Sequence, residues 1–340
     1  MNGTEFGGWP DLAVRSFGGS VMAANDEFFA EKENLITPEP AAFRPGAFGP
    51  KGKLYDGWET RRRRGNGHDW AIVRLGLPGV IRGVVIDTAH FTGNHPAYAW
   101  VEACAADGYP SAAELADADW FEIVPRNPLK GDCAHAFPVS AGRRFTHVRL
   151  SIHPDGGVAR LRVHGEVVPD PALLTGLPLD LAALEFGGLV TGCSNMFYSS
   201  PHNLIAPGLA RAMDEGWETA RRRDDGNDWV IVRLAAAGTV RLAELDTTHF
   251  KGNAPAAASL RGLDGLTASP DDPDAWFGLL PRTRLQPDTR HRFPLEPKRA
   301  THVRLDIYPD GGMARLRLYG DLTADGLTAL ADRWRATVPL

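Results

Sequence analysis

Residues 146–165 read THVRLSIHPDGGVARLRVHG, and the fold class follows from the alternation inside them. Val148, Leu150 and Ile152 alternate with His147, Arg149 and Ser151; Leu161 and Val163 alternate with Arg160, Arg162 and His164. A period of two sends successive side chains to opposite faces, so each run is a strand with one buried and one exposed face. The HPDGG between them supplies Pro, Asp and Gly where a turn needs special backbone angles. WAIVRL (70–75) and RGVVIDT (82–88) read as further strands, and helical patterning is confined to SAAELADADW (111–120) and LTALADRWRA (327–336).

The same twenty residues return as THVRLDIYPDGGMARLRLYG at 301–320. GWETRRRRGNGHDWAIVRL (57–75) returns as GWETARRRDDGNDWVIVRL (216–234), and DTAHFTGNHP (87–96) as DTTHFKGNAP (246–255). WFEIVPR (120–126) matches WFGLLPR (276–282), and FGGSVMAANDEFFAEKENLI (17–36) matches FGGLVTGCSNMFYSSPHNLI (186–205). Each copy is the size of a domain, which makes this a tandem duplication and not a short-period solenoid. The expected domains are residues 1–168 and 179–340, joined by the Pro- and Gly-punctuated linker PDPALLTGLP at 169–178. Only the first copy carries TPEPAAFRPGAFGPKGK (37–53), a surface-loop insertion where the second has the brief APGLARA (206–212). The expected fold is all-β: two tandem jelly-roll β-sandwiches, each of many short antiparallel strands.

Composition narrows the function classes. A chain of 340 residues with 43% hydrophobic residues suffices for two well-filled cores, and a net charge of -5 argues against a nucleic-acid partner. No apolar run approaches a membrane span. Cys104, Cys133 and Cys193 form no C-x-x-C pair, and their odd number rules out a complete set of internal disulfides. Buried, inert thiols in a reducing compartment are expected, and the opening residues lack the pattern of a signal peptide, so the expected location is cytoplasmic.

Three polar blocks recur. The first holds Glu59, Arg62, Arg63, Arg64 and Asp69, mirrored by Glu218, Arg221, Arg222, Arg223 and Asp228. Guanidinium forks match carboxylates, either a ligand's or those of Glu59 and Asp69, so ligand binding and a salt-bridge cluster both fit. Trp58, Trp70, Trp217 and Trp229 read as core anchors. The second block is the decapeptide. There Gly93 and Pro96 form the turn and Phe91 plugs the core, but a turn requires neither His90 nor Asn94. Histidine moves protons near neutral pH, and asparagine offers both a donor and an acceptor to an amide-like group. The third, PDGG followed by ARLR, reads as a hairpin with a polar outer face. His95 has no mate, since Ala254 stands in its place, and the chain has no H-E-x-x-H, G-x-S-x-G or Walker motif.

Taken together, the motifs GWETRRRR…DW, DT.HF.GN.P and THVRL…PDGG.ARLR resemble those of the allantoicase family over nearly the whole chain. The resemblance implies two repeats of galactose-binding-like jelly-roll fold, a homo-oligomer, and hydrolysis of allantoate to ureidoglycolate and urea in allantoin degradation. The enzyme class is a hydrolase of C–N bonds in linear amidines, and some members are associated with a divalent metal such as manganese. Allantoate's central carbon bears a carboxylate and two ureido groups, and breaking one central C–N bond releases urea intact. Urea nitrogen leaves poorly as an anion, so it needs a proton from a general acid, while water must lose one. The expected roles are therefore Arg62 or Arg63, or their mates Arg221 and Arg222, on the carboxylate, with Asn94 or Asn253 on a ureido group. His90 or His249 exchanges protons, and Glu59, Asp69 or Asp87 activates water or positions the histidine. The rival expectation is a non-catalytic tandem ligand-binding module of the same fold.

Overall fold

The computed structural model describes residues 6–49, 52–53 and 55–338; Pro50 and Lys51 of the insertion lie outside them. The chain divides into two compact units, the first built from the residues up to Val168 and the second spanning Pro169–Arg335.

In the first unit one strand organises everything. WAIVRL and RGVVIDT are not separate strands but parts of a single 19-residue strand, Asp69–Asp87. Its pairing with Arg144–His153 is interrupted between Arg74 and Gly79 and resumes only at Gly79 and Val80, and beyond that the two halves have different partners. Residues 69–74 lie between Ser20–Ala24 and Arg144–His153, and the layer continues through Tyr98–Cys104 to Phe121–Pro128. Residues 79–87 pair with Arg160–Val167 on one side and Ala134–Pro138 on the other. The interruption falls on LGLP, where Gly76 and Pro78 suit a bend. One continuous strand thereby reaches two layers that short strands were expected to fill.

The apolar half of the alternation read from the sequence fills the space between the layers, but the opposite face is not exposed as expected, since His147, Ser151, Arg160 and His164 are buried as well. Ala71, Val73, Val148, Leu150, Ile152, Ala99 and Val101 come from the wide layer, and Val84, Ile86, Leu161 and Val163 from the narrow one; all are buried. Each such aliphatic side chain stabilises by about 1.5–3 kcal/mol when removed from water. The helix expected near SAAELADADW is Ala112–Ala116, begun by a capping box in which Ser111 and Glu114 satisfy each other's backbone N–H.

The second unit repeats the plan. Its strand Asp228–Asp246 is also 19 residues long and pairs with Leu189–Cys193, Arg315–Leu322 and Arg290–Tyr308. The expected C-terminal helix is Ala324–Thr337. The chain is thus two tandem all-β jelly-roll sandwiches. The thiols are partly as expected: Cys104 is buried, which pushes it up to about 11, whereas Cys133 and Cys193 are half-buried.

Candidate functional site

The decapeptide is a loop wound around Phe91. The Asp87 carboxylate accepts from the Ala89 N–H at 2.8 Å, the Phe91 N–H donates to the Thr88 carbonyl at 2.9 Å, and the Thr88 hydroxyl donates to the Lys130 carbonyl at 2.6 Å. These bonds drive the Phe91 ring into complete burial. The ring rests in a cradle that only glycine allows: a Cβ on Gly157 would stand 2.0 Å from it, and one on Gly57 would stand 2.7 Å away. The GW and PDGG motifs, a hundred residues apart in the chain, are therefore two walls of one socket. Phe250, Gly216 and Gly312 form the same socket in the second unit.

That socket sets the polar residues around it. Trp58–Glu59 forms a two-residue strand against Gly157–Val158. Trp58 points into the core and donates its indole N–H to the Asp26 carbonyl at 2.8 Å, so alternation turns Glu59 outward. The Gly157 N–H donates to the Asn94 carbonyl at 2.8 Å, which fixes the loop beside the strand. Asn94 Nδ2 then donates to Glu59 Oε1 at 2.7 Å. Phe29, Gly52, Tyr55, Glu59, Thr92, Gly93 and Asn94 line a cleft of about 420 Å³. Burial raises the proton affinity of Glu59 above that of an ordinary carboxylate, and the Asn94 hydrogen bond opposes that rise only in part.

The cleft gathers Glu59 and Asn94 but not the other expected residues. Asp69 is buried, accepts from Asn25 Nδ2 at 2.9 Å and is ion-paired with Arg63. The Arg63 N–H meanwhile donates to Asp155 Oδ2 at 2.8 Å, which ties the first and third blocks together. Arg222 repeats both contacts with Asp228 and Asp310. Asp87 holds the turn already described. Arg62 and Arg221 are exposed and, among the described residues, make no hydrogen bond or ion pair. His90 adopts φ 68°, donates its N–H to Asp132 Oδ1 at 2.8 Å, and sets its ring Nε2 3.1 Å from the Ala41 carbonyl while stacking on Phe43. The His90 ring thus fastens the insertion. His249 makes the matching contacts, with Asp288 at 2.8 Å and the Ala210 carbonyl at 3.0 Å.

The third block is more than a polar hairpin face. Arg160 is fully buried; its Nε donates to the Glu39 carbonyl at 2.9 Å and its Nη2 to Asp56 at 2.8 Å, pinning the start of the insertion and the chain just past its end. Arg315 is buried likewise, and desolvation pulls it down to about 10. Sequence reasoning missed Phe29, Tyr55 and Thr92 as cleft residues. Thr92 lies inside the decapeptide itself. Phe29 is delivered by its N–H bond to the Glu59 carbonyl at 3.2 Å, and Tyr55 by stacking on Phe91 with centroids 5.1 Å apart. Neither position carries a local motif.

Among the described residues, no group of three or more His, Cys, Asp or Glu is arranged to hold a metal ion. That donor set does not fit manganese with ordinary protein ligands. A carboxyl of raised proton affinity, hydrogen-bonded to an amide in a small cleft, can exchange a proton with a bound amide-bearing molecule.

The family model for the allantoicase repeat matches residues 10–168 and again 179–323. A probable allantoicase of Nocardia farcinica is 61% identical over 319 residues, covering 92% of this chain and 94% of the relative. One of Streptomyces coelicolor is 54% identical over 339 residues, covering 96% and 89%. The crystal structure of allantoicase from Saccharomyces cerevisiae superposes with a TM-score of 0.79 at 34% identity, covering 92% of each chain. Two matched repeats spanning both sandwiches, with close relatives along nearly their whole length, establish that this chain belongs to the allantoicase family.

Proposed function

We propose that the Glu59–Asn94 cleft is where this hydrolase splits allantoate into ureidoglycolate and urea. The observation that carries the reading is Glu59: a half-buried carboxyl of raised proton affinity, oriented by an amide, in a cleft of small-molecule size. In its acid form Glu59 gives a proton to the ureido nitrogen on the central carbon. The C–N bond breaks with its electron pair going to that nitrogen, and urea leaves neutral. Lone-pair donation from the remaining ureido nitrogen stabilises the electron-poor carbon. Water adds to that carbon and returns a proton to the Glu59 carboxylate, which restores the acid and leaves ureidoglycolate.

Asn94 spends one amide hydrogen on Glu59 and keeps its side-chain carbonyl for a ureido N–H. Arg62 does not line the cleft, but it is exposed, unpaired among the described residues and three positions along the chain from Glu59, and it is assigned the substrate carboxylate. His90 is assigned the insertion and not the proton, because its ring nitrogen is engaged with Ala41. The second-repeat candidates His249, Arg221, Arg222 and Asn253 are treated as structural counterparts. We take residues 1–168 and 179–340 as the two repeats with 169–178 between them. A homo-oligomer is adopted on the family resemblance. A cytoplasmic location is adopted on three free thiols.

The test is to strip the protein with chelator, add allantoate, and measure urea and ammonia separately. Urea without ammonia is expected. Ammonia would mean attack on a ureido carbonyl, and neither product, with manganese restored, would favour the ligand-binding module.

A further inference from the structure

We infer that the two rings lining the cleft, Phe29 and Tyr55, hold the leaving ureido group by its flat face and so supply the cleft's affinity for a planar ureide. The inference deepens the reading of the Glu59–Asn94 cleft given above and rests on it.

Hydrogen bonding accounts for only part of what such a group needs. Glu59 and Asn94 meet a ureido group at its edge, where its N–H and C=O lie in one plane. Its two faces offer no donor, so an apolar ring covers them without stripping a hydrogen bond. Phe29 and Tyr55 are the aromatic members of the lining. Gly52 and Gly93 belong to it too, and a Cβ on either would meet no atom within 4 Å, which leaves room beside the rings for a flat group. Phe29 is 39% exposed, more than a core role requires.

Both rings are set from behind, by contacts that involve no ligand. Tyr55 stacks on buried Phe91 with the planes 25° apart. Phe29 meets Phe28 edge-on, with centroids 5.1 Å apart and planes at 86°. The segment carrying both phenylalanines is clamped to the Glu59 strand. Ala30 and Glu59 exchange backbone hydrogen bonds at 3.2 Å, and the Asp26 carboxylate accepts from the Arg61 N–H at 2.9 Å and from Arg61 Nε at 2.6 Å. The Arg61 guanidinium then lies over the Phe28 ring, 5.3 Å from its centroid. Walls held in place beforehand lose little freedom when a ligand arrives, which favours binding. The second repeat keeps the edge-on pair as Phe197 and Tyr198, at 4.7 Å and 85°, so a phenol ring is compatible with the position of Phe29.

The experiment measures steady-state urea release from allantoate by Phe29→Leu, Phe29→Tyr, Tyr55→Phe and Glu59→Gln in the full-length protein, with thermal unfolding of each. Leucine keeps apolar bulk and removes the flat face, whereas the other two ring variants keep it. A face that holds substrate and transition state alike acts on KM and not on kcat. F29L should therefore raise KM about tenfold, the upper end for a lost aromatic contact, with kcat and Tm close to wild type. F29Y and Y55F should keep KM within about threefold of wild type. An unchanged KM in F29L, an equal rise in F29Y or Y55F, or a fall in kcat and Tm with KM unmoved would overturn the inference. E59Q tests the underlying reading separately. A loss of about 10²–10⁴ in its turnover keeps Glu59 as the acid whatever F29L shows, and full turnover would overturn that role.

Discussion

Substitution of Gly157 by alanine probes the link between the socket and the site. The added Cβ would stand 2.0 Å from Phe91 Cε1 and 2.1 Å from Cδ1, where ordinary contact begins near 3.4 Å. The ring must therefore retreat by more than an ångström. It is fully buried and walled by Gly57 and by the stacked Tyr55, so the movement is paid in strain. Overpacking of this kind costs about 1–3 kcal/mol. For a unit of this size that is a fall of roughly 2–12 °C in Tm. Gly157 also pairs with Glu59 and donates to the Asn94 carbonyl, so kcat should fall with stability. Truncating the ring provides the decisive arm. Phe91→Ala alone should cost about 3–5 kcal/mol. The double variant F91A/G157A should cost less than the sum of the two, because the methyl enters the space the ring has left. Unfolding by guanidinium chloride, followed by tryptophan fluorescence, measures all three. A G157A protein within about 0.5 kcal/mol of wild type, or costs that simply add, would refute the socket.

Other consequences separate neighbouring residues. Arg62→Ala should raise KM with no change in Tm. Arg63→Ala should destabilise by about 1–3 kcal/mol because it leaves buried Asp69 without its cation; thermal melts and steady-state kinetics distinguish the two, and reversed effects would exchange their roles. If Glu59 must be protonated, kcat falls as pH rises through its raised pKa. Asn94 opposes the rise, so Asn94→Ala should move that fall to higher pH; a pH–rate series showing movement downward would contradict the assignment. His90→Gln keeps a donor near the Ala41 carbonyl and should alter KM while leaving the shape of the kcat–pH profile intact. Loss of a limb of that profile would return proton transfer to His90. Gly93→Ala, whose methyl would meet no atom within 4 Å, should leave Tm unchanged and weaken substrate binding by narrowing the cleft.

Alternation in THVRLSI and ARLRVHG determined the strands, because the two faces of a pleated ribbon demand different side chains. The recurrence of five segments determined the two sandwiches. It also singled out Glu59 and Asn94 as candidates, since neither is required to make the strand or the turn that carries it. What the chain could not declare is which of its polar residues meet. Arg62 and Arg63 are adjacent and chemically identical, yet one is exposed and the other is ion-paired with a buried carboxylate. The Arg63 backbone contact with Asp155 and its ion pair with Asp69 decide between them. His90 carries the chemistry of a proton donor, but its ring is taken up by a carbonyl of the insertion, 49 residues away. Phe29 and Tyr55 reach the cleft through a backbone hydrogen bond and a ring stack that leave no local pattern. Local periodicity is set by each strand's own two faces, and so it is written in neighbouring residues. The site is set by contacts between segments 35 to 104 residues apart, such as Asn94 with Glu59 and Arg160 with Asp56, and only folding brings those into register.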